Sequence, residues 1–88
     1  MMKLTQEFVL RNIAGDHILI PVVGLEDNFH GIITLNETGA FIWEKIAAGL
    51  EENEIVQALE AEYEVNREQA VQDVASICGN FRELGILE

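Results

Sequence analysis

Two histidines, one cysteine and sixteen acidic side chains are the groups in this chain that could move a proton, attack an electrophile or hold a metal. Nucleophilic catalysis needs a base within reach and an oxyanion site, and Cys78 stands in a helical pattern with no motif for either. His17 and His30 fall on separate strand-like runs, with no CxxC or HxxxH spacing to bring metal ligands together. The expectation is no catalytic residue, no metal and no cofactor. Gly15, Gly24, Gly31, Gly39, Gly49 and Gly85 follow no phosphate-loop pattern and read as turns, caps and close packing.

What remains is the chemistry of the main chain. Gly31-Ile32-Ile33-Thr34, followed by Leu35, closes the third strand-like run. If the three runs form a meander, one side of this strand is unpaired, and its N–H and C=O groups can accept an extended peptide as a fourth strand. An edge covered by the third helix fits the pattern equally well. On that helix Ala70, Val74, Ile77, Phe81 and Leu84 occupy one stripe, assigned to the core, and Val71, Ala75, Cys78 and Arg82 occupy the next. A helix cannot bury both stripes against one neighbour unless it is apolar nearly all round. The second stripe is therefore a candidate groove wall, the competing reading being that Val71 and Cys78 are the edge of the core. Arg67 and Arg82 are the cations of this helix and could meet an acidic side chain of a bound peptide.

The elements that must position these groups follow from periodicity and punctuation. Phe8 to Ile13 and His17 to Ile20 flank Ala14-Gly15-Asp16 and predict a hairpin. Pro21 has no N–H for a ladder, so pairing of a central second strand must end or bulge near it. Gly24 to Asn28 make a loop, and the third strand runs from about Phe29 to Leu35. Asn36 is a good N-cap for a first helix whose buried stripe is Gly39, Ile42, Trp43, Ile46, Ala47 and Leu50. Phe41 falls opposite that stripe and is expected to pack under the sheet, as large aromatics are mostly buried. Ile55, Val56, Leu59 and Tyr63 form the core face of a second helix. Asn66 to Gln69 reads as a capping box opening a third helix of about eighteen residues, with Val65 placed to staple against Ala70. Gly85 is its stop, and Ile86 can fold back onto Phe81 in a Schellman cap. The predicted fold class is α+β: a winged-helix-like arrangement of a three-stranded antiparallel sheet followed by three α-helices.

Eighty-eight residues, 49% of them hydrophobic, predict a single globular domain over 1–88. Five basic residues against sixteen acidic ones give a formal charge of −11. That field repels a phosphate backbone, so nucleic acid is not an expected partner even though winged helices often bind it. Glu51, Glu52, Glu54, Glu60, Glu62 and Glu64 gather along one helical segment, read as a solvated face or as a surface for a basic partner. The N-terminal residues lack the apolar core of a signal peptide, and the longest apolar run, Ile18 to Val23, is too short to span a bilayer. One cysteine fits a reducing cytoplasm.

The block Leu35-Asn36-Glu37-Thr38-Gly39-Ala40-Phe41-Ile42-Trp43 stands where strand hands over to helix. It is followed by Gly49, Glu54-Ile55-Val56, Tyr63-Glu64-Val65, Asp73-Val74 and a closing Leu84-Gly85-Ile86-Leu87. With Ile20-Pro21-Val22 and Gly31-Ile32-Ile33-Thr34, this order and spacing resembles the PqqD family over about Val9 to Leu87. Each residue is common, and the specificity lies in their sequence. One departure is Glu51, where relatives often carry Ser or Thr; this puts only the helix boundary in question. The resemblance implies a peptide chaperone, or recognition element, of ribosomally made natural products. Such a protein binds the leader segment of a precursor peptide between the third strand and third helix and presents it to a modifying enzyme such as a radical SAM protein. That resolves the open edge in favour of peptide binding, with Gly31, Ile32, Ile33, Thr34, Leu35, Val71, Ala75, Cys78 and Arg82 as the expected contacts. The competing reading is a winged-helix interaction or dimerisation domain with no peptide client. A nucleic-acid-binding regulator is a third and weaker one.

Overall fold

The computed structural model describes residues 2–5, 7–22 and 33–88. Its elements are β1 (Phe8–Ile13), β2 (Asp16–Pro21), β3 (Ile33–Leu35), α1 (Glu37–Ala47), α2 (Glu52–Tyr63) and α3 (Arg67–Glu83). The strands form one antiparallel meander in the order β1-β2-β3. This is the α+β, winged-helix-like arrangement the sequence predicts. The expected loop at Gly24 to Asn28 and the start of the third strand, Phe29 to Ile32, lie outside the described residues, as does His30.

A two-residue turn joins β1 to β2, with Ala14 at φ 54° and Gly15 at φ 86°. Two positive φ angles in succession are the signature of the type I′ turn, whose twist matches that of the flanking strands. β2 is central and ends at Pro21, which is paired opposite Phe8. The strand ends at this residue, as expected, although bonding to β1 runs one pair further, with the Val22 N–H donating to Glu7 O at 2.9 Å.

Local chemistry also sets the helix ends. The Asn36 side chain accepts the Gly39 N–H at 2.7 Å, and the Asn66 side chain accepts the Gln69 N–H at 2.8 Å. At the start of α2 the Glu54 carboxylate accepts the Glu51 N–H at 2.8 Å, half of a capping box that forms despite the glutamate at the cap. α3 closes in a Schellman motif. Ile86 N–H donates to Phe81 O at 2.9 Å and Gly85 N–H to Arg82 O at 3.1 Å, with Gly85 at φ 80°.

The core draws Phe8 and Leu19 from the sheet, Ile42, Trp43 and Ile46 from α1, Ile55, Val56 and Leu59 from α2, and Ala70, Val74, Cys78 and Phe81 from α3. Three expectations about this packing are corrected. Ala47, expected in the buried stripe of α1, is exposed, and Ala40 is buried instead. Phe41 does not pack under the sheet; it is half-buried and meets Tyr63 edge to face at 5.4 Å, with Lys45 Nζ 5.0 Å from its ring. The buried stripe of α3 takes in Cys78 in place of Ile77 and Leu84, the latter 47% exposed.

A contact not foreseen from sequence ties the two ends together. Leu4 bridges Leu87; Thr5 N–H donates to Ile86 O and Glu88 N–H to Lys3 O, both at 2.9 Å. Ile86 and Leu87 are buried beneath this strap.

Candidate functional site

The β-ladder dictates which main-chain groups β3 leaves free. A two-residue turn closes on a hydrogen-bonded pair, Ile13 with Asp16, and the Val22 N–H bonded to Glu7 O at 2.9 Å sits at the other end in the same phase. Antiparallel pairs alternate, so Asp16, Ile18 and Ile20 turn their amides toward β1, while His17 and Leu19 turn theirs toward β3. His17 is opposite Leu35 and Leu19 opposite Ile33. Ile33 and Leu35 therefore spend their main-chain bonds on β2, and Thr34 directs its N–H and C=O to the other edge, which no described strand pairs.

Beside that edge lies a groove of about 230 Å³ between β3 and α3. Ile33, Thr34, Leu35, Asn36 and Gly39 form one side, and Ile77, Asn80, Phe81 and Leu84 the other. Gly39 keeps the floor low: a β-carbon there would approach the capping Asn36 Oδ1 to 3.2 Å. The groove continues into a more polar depression bounded by Asn36, Thr38, Asp73, Ser76, Ile77 and Asn80. Asp73 Oδ1 accepts a hydrogen bond from Gln69 Nε2 at 2.9 Å.

The structure thus brings Ile33, Thr34 and Leu35 to the groove, while Gly31 and Ile32 lie outside the described residues. It does not bring the expected helix stripe there. Val71 and Ala75 border a separate hollow with Glu52, Asn53 and Val56, between α2 and α3. Cys78 is fully buried and cannot line an open surface. Burial first, then the nearby Glu52 carboxylate, pushes its thiol up to about 11, against a smaller opposing effect of Arg82. Arg82 Nε donates to Glu88 O at 3.2 Å. Arg67 is committed to α2, with Glu60 Oε1 and Asn53 Oδ1 each at 3.2 Å.

Sequence reasoning placed the groove wall on the wrong flank of α3. At about 100° per residue, Asp73, Ile77, Asn80 and Leu84 lie to one side of the buried stripe, and Val71, Ala75 and Arg82 to the other. A signal was available: Ile77 and Leu84 are the larger apolar residues, and assigning both to the core left only small or charged ones for the wall.

A larger depression of about 500 Å³ lies against β1, lined by Leu4, Glu7, Phe8, Val9, Val22, Trp43 and Ala47. The Trp43 indole N–H is buried without a hydrogen-bond partner among the described residues. Among the described residues, no three histidine, cysteine or acidic side chains converge to hold a metal ion. No described helix is long and apolar enough to cross a membrane.

The family model described as coenzyme PQQ synthesis protein D (PqqD) matches residues 7–87. Comparison with curated proteins gives no match. Two solved structures are similar over nearly the whole chain. One is described as lasso peptide synthetase B1 complexed with the leader peptide. It is 25% identical, covers 99% of this chain and 96% of its own, and has a TM-score of 0.78. The other is TbiB1 in complex with the TbiA(beta) leader peptide, 24% identical, covering 98% and 94%, with a TM-score of 0.79.

Proposed function

The chain belongs to the PqqD family, and on that premise we propose that it binds the leader segment of a ribosomally synthesised precursor peptide by strand addition to β3 and presents it to a separate modifying enzyme. The observation that carries this reading is the outward main chain of Thr34 beside an apolar wall of Ile77, Phe81 and Leu84. Main-chain pairing supplies affinity with little demand on sequence, and alternate side chains of the added strand enter the groove and supply selectivity. The similarity to lasso peptide synthetase B1, whose structure contains a leader peptide, supports leader binding.

The chemistry belongs to the partner enzyme, for which a radical SAM protein is one fit, and the setting is the cytoplasm. This chain contributes no catalysis of its own. It raises the effective concentration of the attached core peptide at the enzyme, which needs no contact with reacting atoms.

The test is calorimetric titration with synthetic leader segments from precursor peptides encoded near its gene, repeated on Thr34→Pro. Proline removes the outward N–H but leaves the bonds of Ile33 and Leu35 to β2 intact. Binding should weaken by about tenfold or more, on the order of 1.4 kcal/mol, while the circular dichroism spectrum is retained. Unchanged affinity in a folded Thr34→Pro variant would refute strand addition.

A further inference from the structure

The groove and its polar continuation share Asn36, Ile77 and Asn80, so one extended ligand can occupy both. Resting on the strand-addition reading above, we infer that the pair reads a two-part signal. The first part is a large apolar side chain held by Ile77, Phe81 and Leu84. The second is a lysine or arginine, on the same face of the added strand, that pairs with Asp73.

Charge decides the second half. Asp73 is the charged residue of the polar part, and Gln69 occupies one of its oxygens. Its other oxygen has no hydrogen-bond partner among the described residues. The nearby N-terminus of α1 carries at most about half a positive charge. Glu37 in the first turn of α1 opposes it. A full carboxylate in a chain of formal charge −11 therefore leaves this end of the groove negative. A guanidinium or ammonium there gains a charge-assisted hydrogen bond.

Geometry sets the spacing. With a rise of about 1.5 Å per residue, the Asp73–Ser76 end of α3 lies on the order of 10 Å from the middle of the Ile77–Leu84 stretch. That is about three residues of extended chain. Side chains on one face of a strand are an even number of positions apart, so the two anchors stand two or four residues from each other. β3 ends at Asn36, on the polar side. Antiparallel pairing is the more stable per residue, and a strand added that way enters at the polar end. Its basic residue precedes its apolar one.

The experiment is affinity selection from a displayed library of random twelve-residue peptides, run in parallel against the wild-type chain, Asp73→Asn, Glu62→Gln and Thr34→Pro, with affinities read by fluorescence anisotropy. Wild-type selection should enrich Arg or Lys two or four residues before a large apolar residue. The best arginine peptide should lose about three- to tenfold affinity with Asp73→Asn and less than about twofold with Glu62→Gln, which removes an exposed charge that lines neither part of the groove. Enrichment of hydroxyl or amide residues at that position, or equal losses in the two variants, would overturn the two-part signal while leaving strand addition standing. Peptides that bind Thr34→Pro as tightly as wild type, or no enrichment at all, would overturn both.

Discussion

Cys78 shows how far a single residue's role depends on what surrounds it. Its exposure is 0% and its thiol is pushed up to about 11 from an ordinary 9.0. A thiol reacts as the thiolate, so the native protein should not be modified by a disulfide reagent at pH 8 and should react fully once unfolded. The same shift links stability to pH. The folded state holds the proton more tightly than the unfolded state. The contribution is therefore complete below about pH 9 and lost as pH rises from 9 toward 11. Tyr63 is also raised, by burial and then by Glu37, so both groups act in alkali. Denaturant titrations of wild type and Cys78→Ala at pH 8 and 10.5 isolate the cysteine part, and the mutant should lose less stability over that interval. Ala14 is a second residue whose environment runs against its type. At φ 54° it occupies a left-handed position that costs a non-glycine residue about 1–2 kcal/mol. Asn-Gly is the favoured pair for this turn, and Ala14→Asn should raise stability by about 0.5–1 kcal/mol in chemical denaturation without moving the β1–β2 register.

At the scale of elements, the rotation of α3 determines the site. Periodicity alone makes Ala70, Val74, Ile77, Phe81 and Leu84 one stripe, because a spacing of three and four residues is what a core helix shows. Packing turns the helix so that Cys78 enters the core and Ile77 and Leu84 move to its border, where β3 stands across the groove. The two flanks make opposite predictions. Leu84→Asp puts a charge into the apolar wall and should cost about 2 kcal/mol or more in leader binding, roughly thirtyfold. Val71→Asp, on the flank beside α2, should change affinity by less than about threefold. Both residues are nearly half exposed, at 47% and 46%, so neither change should unfold the chain. Amide chemical-shift mapping would check the assignment independently, with shifts expected at Thr34 and along Ile77 to Leu84.

At the scale of the molecule, the pairing of the two ends holds the far end of the groove in place. Leu84 stands at that end and is followed at once by Gly85, whose carbonyl accepts the Thr5 hydroxyl at 2.6 Å, and by the buried Ile86. Ile86→Ala removes most of a fully buried side chain and should cost about 2–5 kcal/mol in stability. For a chain of this size that is a large part of the total. Thermal unfolding measures the loss. At a temperature where the variant is still folded, leader affinity should fall as well, since the strap no longer fixes Leu84.

The sequence by itself determined what is written in local chemistry. A hairpin around Gly15, caps at Asn36 and Asn66, a stop at Gly85 and the end of β2 at Pro21 each depend on one residue's conformational or hydrogen-bonding limits, which hold in any context. Order and spacing also carried the family. Tertiary structure alone decided which way α3 faces and which amide of β3 points outward. A helix has a neighbouring stripe on each side of its core face, and only packing against α2 and α1 tells them apart. The parity of an edge strand is likewise inherited through two ladders from the turn at Ala14-Gly15, and Ile33 and Thr34 exchange roles if the register slips by one residue. The Leu4–Leu87 bridge was illegible for a related reason: two short segments at opposite ends of the chain carry no periodic signal until the fold brings them together.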